Sequence, residues 1–450
     1  MMFKRKVIEE LSVWKANYAP KYAALLEGPR RVGKSTAAEE FAKENYKTYI
    51  KIDFANITRE LLAVFDDIAN LEVFFLRIQA LTNVTLYKRE SVIIFDEIQR
   101  QPHVRQAIKY LVADGRYDYI ETGSLISIKK NVKNIVIPSE EHKISVYPMD
   151  YEEFMWAIGN NTYDSLRELY RLNTAVGDGV NRKLMRDFRI YMAVGGMPQA
   201  VEAYVNGKNF AEIDRIKRGI INLYIDDFKK IDSSGYIGKM YEAIPSQLAT
   251  DKKRYILSKA TGKRKTDRDI ERLSDLLDSK TVLACHNITN PSVALSQTKD
   301  ENIFKLYLTD IGLFTTMIFK AAPKTGESIY SKLLSDKLPA DLGYLYENMV
   351  AQIIASTNRD LYYHTWGKKN SSQYYEIDFV LQNGTKIMPL EVKSSASKKH
   401  ASLDDFCLKY SKHASEPILL SQKDVGKDEK IKLKPIYMLP FILEDLDKKS

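Results

Sequence analysis

Two short stretches of the chain carry residue types that can handle phosphates and a divalent ion. In the first, Gly28-Pro29-Arg30-Arg31-Val32-Gly33-Lys34-Ser35-Thr36, glycines bracket a short loop that ends in a lysine and two hydroxyls. The pattern is G-x-x-x-x-G-K-S, in which the glycines let the backbone turn so that its N–H groups converge on phosphate oxygens. Lys34 then reaches the β- and γ-phosphates, and the Ser35 hydroxyl ligates Mg2+. The second stretch is Asp96-Glu97, which closes the apolar run Ser91–Phe95. An aspartate in that place holds Mg2+, directly or through water. Its neighbour Glu97 is suited to polarise the attacking water as a general base. A third segment, Tyr117–Ser124, ends in Thr122-Gly123-Ser124 and places Thr122 or Ser124 near the γ-phosphate as a sensor of hydrolysis.

These residues need elements to hold them, and the flanking patterns supply them. Tyr22–Glu27 is an apolar run consistent with a buried strand, and Ala37–Lys43 has helical periodicity. Strand, glycine loop and helix in that order put the positive end of a helix at the phosphates. Ser91–Phe95 and Tyr117–Glu121 read as two further buried strands. The expected fold class is therefore α/β, with a parallel-sheet core over residues 1–150.

A second constellation lies towards the C-terminus. Gly343–Ile354 reads as an amphipathic helix carrying Glu347. Tyr374–Val380, with Glu376 and Asp378, reads as a strand, and Lys386–Ser394, with Glu391 and Lys393, as the next. Residues two apart on a strand share a face, so Glu391 and Lys393 point the same way. Carboxylates gathered from neighbouring strands can hold Mg2+, which polarises a phosphodiester and lowers the pKa of its bound water. This order of elements resembles the restriction-endonuclease-like PD-(D/E)xK fold, with Glu347 as the acid of its first helix. A nuclease centre of Glu347, Asp378, Glu391 and Lys393 is one expectation. A domain kept only for binding is the other.

Between these regions, residues 151–239 carry helical patterns broken at Gly195–Pro198, and are expected to form a helical lid. Arg186 and Arg189 are candidates to approach phosphates from it. Over residues 240–300 the pattern is helix (Tyr255–Ala260), turn, helix (Asp267–Asp278) and strand (Thr281–Ile288). That order suggests a winged helix, a module that often lays its second helix in a DNA major groove. Its basic residues are Lys263, Arg264, Lys265, Arg268 and Arg272, and Ile270, Leu273, Leu276 and Leu277 form its apolar stripe. Residues 301–450 are expected to make the C-terminal domain.

The motifs GPRRVGKST, IIFDEIQ, ETGSL, YPMDYEEF, Gly195–Pro198 and Leu306–Leu313 together resemble the AAA-family ATPases of bacteria and archaea that carry an uncharacterised C-terminal domain. The resemblance covers nearly the whole chain. It implies ATP and Mg2+ as cofactors, ATP hydrolysis as the activity, and a small polar sensor at Ser124.

Composition bounds the rest. At roughly 150 residues per domain, 450 residues imply about three. The 44% apolar and 28% charged residues are those of a globular protein, and no apolar run reaches membrane-spanning length. Two distant cysteines, Cys285 and Cys407, suit a reducing cytoplasm, and with six histidines they make zinc improbable. A net charge of +9 is compatible with DNA, RNA or an acidic protein partner. No membrane partner is expected, and oligomeric state is not legible.

Overall fold

The structure is a computed structural model and describes residues 3–124, 137–292, 294–319, 326–335, 342–368, 371–394 and 400–448. The chain forms two compact units. The first is Met1–Tyr147 with Asp278–Lys280, and the second is Pro148–Leu277 with Thr281–Ser450.

In the first unit, five strands lie side by side: β1 (Ala23–Glu27), β2 (Thr48–Asp53), β3 (Ser91–Asp96), β4 (Asp118–Gly123) and β5 (Glu141–Ser145). Their order is β2-β3-β4-β1-β5 and every pairing is parallel. Every residue of β1, β3 and β4 is buried, which is why these strands read as near-continuous runs rather than as alternations. Helices Lys34–Asn45, Leu71–Thr82 and Pro102–Asp114 fall between successive strands. An aromatic cluster of Phe54, Phe65, Phe74, Phe75, Phe95, Tyr117 and Tyr119 packs around β3. Because β1 lies between β4 and β5, successive strands β1 and β2 are not neighbours. The chain leaves β1 through the glycine loop at its carboxyl end, where open α/β sheets hold their ligands.

The second unit opens with helices Tyr151–Ala157, Tyr163–Arg171, Asp178–Val194, Pro198–Val205 and Phe210–Ile231. Asp150 and Glu153 form a reciprocal capping box on the first of these. The Gly195–Pro198 break is held by the other conspicuous motif of this unit. The Gly196 N–H donates to Asp310 at 2.6 Å, and Asp310 also accepts from the Leu313 N–H at 2.8 Å, capping helix Ile311–Ile318. A Cβ on Gly196 would stand 2.0 Å from the Met149 carbonyl oxygen, and one on Gly312 would stand 2.4 Å from that of Val194. These glycines allow backbone to lie on backbone. Gly196→Ala is expected to destabilise this unit by on the order of 3 kcal/mol, seen as a lowered thermal midpoint. An unchanged midpoint would mean that the backbone yields without cost.

Two further sheets complete this unit. One contains β6 (Val282–Ile288), β7 (Lys299–Leu308), β8 (Leu361–Gly367) and β9 (Tyr374–Ile377) in the order β7-β6-β8-β9. The other contains β10 (Phe379–Asn383), β11 (Lys386–Val392), β12 (Ile418–Ser421), β13 (Gly426–Asp428) and β14 (Ile431–Pro435) in the order β10-β11-β12-β14-β13. Helix Leu257–Thr261, a turn through Gly262 and helix Asp267–Asp278 lead into β6. The expected boundary at residue 300 falls inside the β6–β7 pair. β6 also runs parallel to β8, so its strand belongs to the sheet of the C-terminal region rather than to a separate wing.

Candidate nucleotide site and a second acid centre

The glycine loop is shaped by backbone constraints that its sequence answers. Gly28 must lack a side chain, because a Cβ there would lie 2.1 Å from the Val146 carbonyl oxygen. Arg31 and Gly33 adopt left-handed φ values of +72° and +94°. Left-handed residues alternating with right-handed ones turn successive N–H groups into an anion-binding concavity. Pro29 and Val32 are buried, Arg30 and Gly33 half-buried, and Arg31 and Thr36 exposed. Arg5 clamps the loop from outside, donating to the carbonyl of Val32 at 2.9 Å and to that of Tyr147 at 2.8 Å. No motif spacing points to Arg5.

Lys34 starts the helix Lys34–Asn45 and is buried. Its ammonium donates to the carbonyls of Gly28 (3.0 Å) and Pro29 (2.9 Å). Burial pulls it down to about 8, against the opposing pull of Glu97 and Asp96. Ser35 donates its hydroxyl proton to Asp96 Oδ1 at 2.5 Å. The same oxygen accepts from the Thr122 hydroxyl, while Lys51 approaches Oδ2 at 3.7 Å. Three strands thus converge: β1 supplies the loop, β3 the acid and β4 the threonine.

Glu97 follows β3 at a left-handed φ of +58°, and its N–H donates to Thr122 Oγ1 at 3.2 Å. A non-glycine residue in that region carries strain of order 1–3 kcal/mol, a cost usually met at functional sites. Its carboxylate Oε2 accepts from the buried Gln99 side-chain amide at 2.5 Å. Of the two sensor candidates, Thr122 makes the contact with Asp96. Ser124 is half-buried just past the end of β4, and Leu125 of the ETGSL motif lies outside the described residues.

The loop can cradle phosphates through its N–H groups and the Lys34 ammonium. Ser35 and Asp96, already in contact, are the pair that would hold Mg2+ by hard oxygen ligands.

Glu347, on helix Gly343–Ala355, and Asp378, between β9 and β10, are both buried. Glu347 is ion-paired with Lys253 and lies 3.9 Å from the Lys305 ammonium, and the Tyr307 hydroxyl donates to it at 3.4 Å. Lys305 is itself fully buried and pairs with Glu376 at 2.7 Å. Asp378 accepts from the Val392 N–H at 2.8 Å. Burial, then the Glu347 charge, pushes the Asp378 carboxyl up to about 7. Burial acts on Glu347 too, but Lys253 and Lys305 more than reverse it and hold it below the usual carboxylate range. Glu391, on β11, pairs with Lys393 at 2.5 Å. Among the described residues, no three His, Cys, Asp or Glu side chains gather closely enough to hold a metal ion. Within the expected centre Lys253 pairs with Glu347 and Lys393 with Glu391, the Lys393 charge also acts on Asp378, and the sequence motifs single out neither Lys253 nor Lys305.

The other basic candidates are also placed. Arg272 is buried, bonded to Asp232 at 3.0 Å and Asp269 at 2.9 Å, so it cannot serve an exposed groove-facing surface. Ile270, expected on the apolar stripe, is 46% exposed, because that stripe is set by contacts the local spacing does not contain. Arg189 is buried and donates to Gln422 at 2.7 Å, while Arg186 is exposed. Arg189 and Arg272 are thus each engaged within their own unit. No helix among the described residues is long and apolar enough to cross a membrane.

The parallel sheet, the glycine loop at the end of β1 and the acid at the end of β3 define a P-loop NTPase core. Residues 20–155, the span of this core, match the family described as an AAA domain. Residues 185–324 match a domain of unknown function (DUF8612), and residues 342–439 another (DUF4143). No curated protein matches the chain. Among solved structures, Cdc6p from Pyrobaculum aerophilum is 13% identical, covering 74% of this chain and 94% of that one at a TM-score of 0.24. The RuvB Holliday junction branch migration motor of Thermotoga maritima is 14% identical, covering 62% and 89% at a TM-score of 0.28. C. elegans PCH-2 is 14% identical at a TM-score of 0.20; the match covers 38% of this chain and spans about half of that one, 48%. Likeness at these scores carries no argument about what the chain binds.

Proposed function

We propose that the protein is an ATP-binding and ATP-hydrolysing switch of the AAA type, coupled to a nucleic-acid-directed C-terminal region. The observation that carries the first half is Asp96, bridged to Ser35 of the loop and to Thr122 of β4, with Glu97 held beside them. In this reading Lys34 leaves the Gly28 and Pro29 carbonyls to neutralise the β- and γ-phosphates. Glu97 accepts the proton of the attacking water. Thr122 keeps Asp96 and the Glu97 backbone in register through the reaction, and Ser124 stands next to it as a second polar group. Mg2+, when bound by Ser35 and Asp96, neutralises charge on the β- and γ-oxygens.

The second half rests on the helix–turn–helix order and its basic residues: Arg264 and Lys265 are exposed in the turn, Lys263 is half-buried 3.6 Å from Asp269, and Arg268, exposed on the second helix, lies 3.4 Å from Asp232. Bound phosphates release counterions, so affinity for duplex DNA should fall steeply with salt. Replacing Lys263, Arg264 and Lys265 by alanine is expected to flatten the slope by about 0.9 for each phosphate that is no longer neutralised. A salt slope equal to that of the unaltered chain would move the contacts elsewhere.

A second reading, a region that binds partners without cutting nucleic acid, is favoured by the lysines among the C-terminal acids. Cleavage assays with Mg2+ or Mn2+, with and without ATP, separate the two. Reproducible cleavage that is abolished in Lys393→Ala supports a nuclease, and none supports the binding reading.

A further inference from the structure

The C-terminal acids and their cations raise a question about what neutralises them. Glu347 and Asp378 are both buried, and the Glu347 charge pushes the Asp378 carboxyl upward. In a phosphodiester-cutting centre, such a pair is balanced by a divalent ion that needs several oxygens converging on one point. Here the oxygens of Glu347 are engaged otherwise. Glu347 Oε1 pairs with the Lys253 ammonium, and its Oε2 faces the Tyr307 hydroxyl and Lys305. Asp378 Oδ2 takes the Val392 N–H and Glu391 Oε1 pairs with Lys393, while Glu391 Oε2 is buried without a hydrogen-bond partner. The residues present do not fit a metal centre as they stand.

The two cations differ in how they are held. Lys305 comes from the middle of β7, is fully buried and is anchored by Glu376 at 2.7 Å. Lys253 comes from the connection between helices Ile244–Leu248 and Leu257–Thr261, with a left-handed φ of +48° and a side chain 25% exposed. One is part of the sheet. The other reaches in from a short connection immediately before the helix–turn–helix.

We propose that Lys253 is the built-in cation of the Glu347–Asp378 pocket, standing where a divalent ion would and keeping the pocket closed to Mg2+ and Mn2+. A lysine ammonium delivers one charge through three N–H donors and excludes a second cation by repulsion and by filling the space. Its place on the connection ties the state of the pocket to the seating of the helices that follow. The inference concerns this unit alone and stands or falls apart from the ATPase reading.

The test is titration of Mn2+ into the nucleotide-free full-length protein, with bound ion counted by electron paramagnetic resonance. The unaltered chain is expected to show no Mn2+ site that disappears in Glu347→Gln. Lys253→Met keeps the length of the side chain and removes its charge. It is expected to gain one such site, roughly tenfold or more tighter than anything in the unaltered chain, and abolished again when Glu347→Gln is added. A Glu347-dependent site already present in the unaltered chain would overturn the proposal, as would a folded Lys253→Met protein that gains none. If Lys253→Met is unstable, its thermal midpoint is read with and without Mn2+. A rise on adding Mn2+, absent in the unaltered chain, supports the proposal, and a variant that Mn2+ does not stabilise overturns it.

Discussion

Replacing Glu97 by glutamine is expected to leave ATP binding intact and to slow hydrolysis by roughly 10²-fold or more, the range for loss of a general base. The substitution keeps shape and hydrogen-bonding capacity. An amide oxygen at that position can still accept from Gln99, and the backbone N–H that donates to Thr122 is untouched. Only the basic carboxylate is removed, so ATP accumulates on the protein unhydrolysed. Single-turnover measurement separates this from slow product release. Turnover within about twofold of the unaltered chain would make Glu97 a loop acid and place the base elsewhere.

Lys34→Ala is expected to act earlier. Hydrogen bonds from a charged donor contribute about 1.5–3 kcal/mol, so ATP affinity should weaken by roughly ten- to a hundredfold and turnover should vanish. In the nucleotide-free protein the Lys34 ammonium also satisfies the carbonyls of Gly28 and Pro29. Circular dichroism and a thermal midpoint are therefore measured alongside, to separate loss of the phosphate ligand from loss of the loop. Lys34→Arg keeps the charge on a longer, planar group, and should recover binding better than turnover. Unchanged affinity and turnover in Lys34→Ala would remove the phosphate assignment.

How far the sequence speaks depends on how local each feature is. The glycine loop, the strand that feeds it and the helix that leaves it lie within some twenty consecutive residues, and their geometry answers local backbone requirements such as the left-handed φ of +94° at Gly33. The helix Asp267–Asp278 likewise runs where its apolar spacing places it. Features set by distant partners are not legible. Arg272 reads as one of five basic residues on a surface, yet it is buried because Asp232 lies against it. Thr122 and Ser124 are equivalent as hydroxyls two apart, and only the pairing of β4 beside β3 brings Thr122 to Asp96. The strand read at Thr281–Ile288 suggests the end of an independent winged-helix module, yet β6 pairs with β8 of the C-terminal region.

The C-terminal acids show the same limit in a sharper form. Their order along the chain is readable, and the Glu347 charge acts on Asp378. The cations that answer them come from residues 253 and 305, outside the segment that suggests the centre. One signal is present. Lys305 interrupts the apolar run Ile303–Leu308, and a lone lysine in a strand buried on both faces needs an acid partner.

The central claim is that the loop and the two acids make one Mg2+-dependent ATP site. It is tested most directly by measuring equilibrium ATP binding and phosphate release on the same full-length protein, with Mg2+ and with the ion chelated. The expected result is a single nucleotide bound per chain and phosphate release that disappears on chelation, with binding weakened roughly ten- to a hundredfold in Lys34→Ala and retained in Glu97→Gln. Failure to bind ATP at millimolar concentration, or phosphate release that persists in chelator and in both variants, would contradict it.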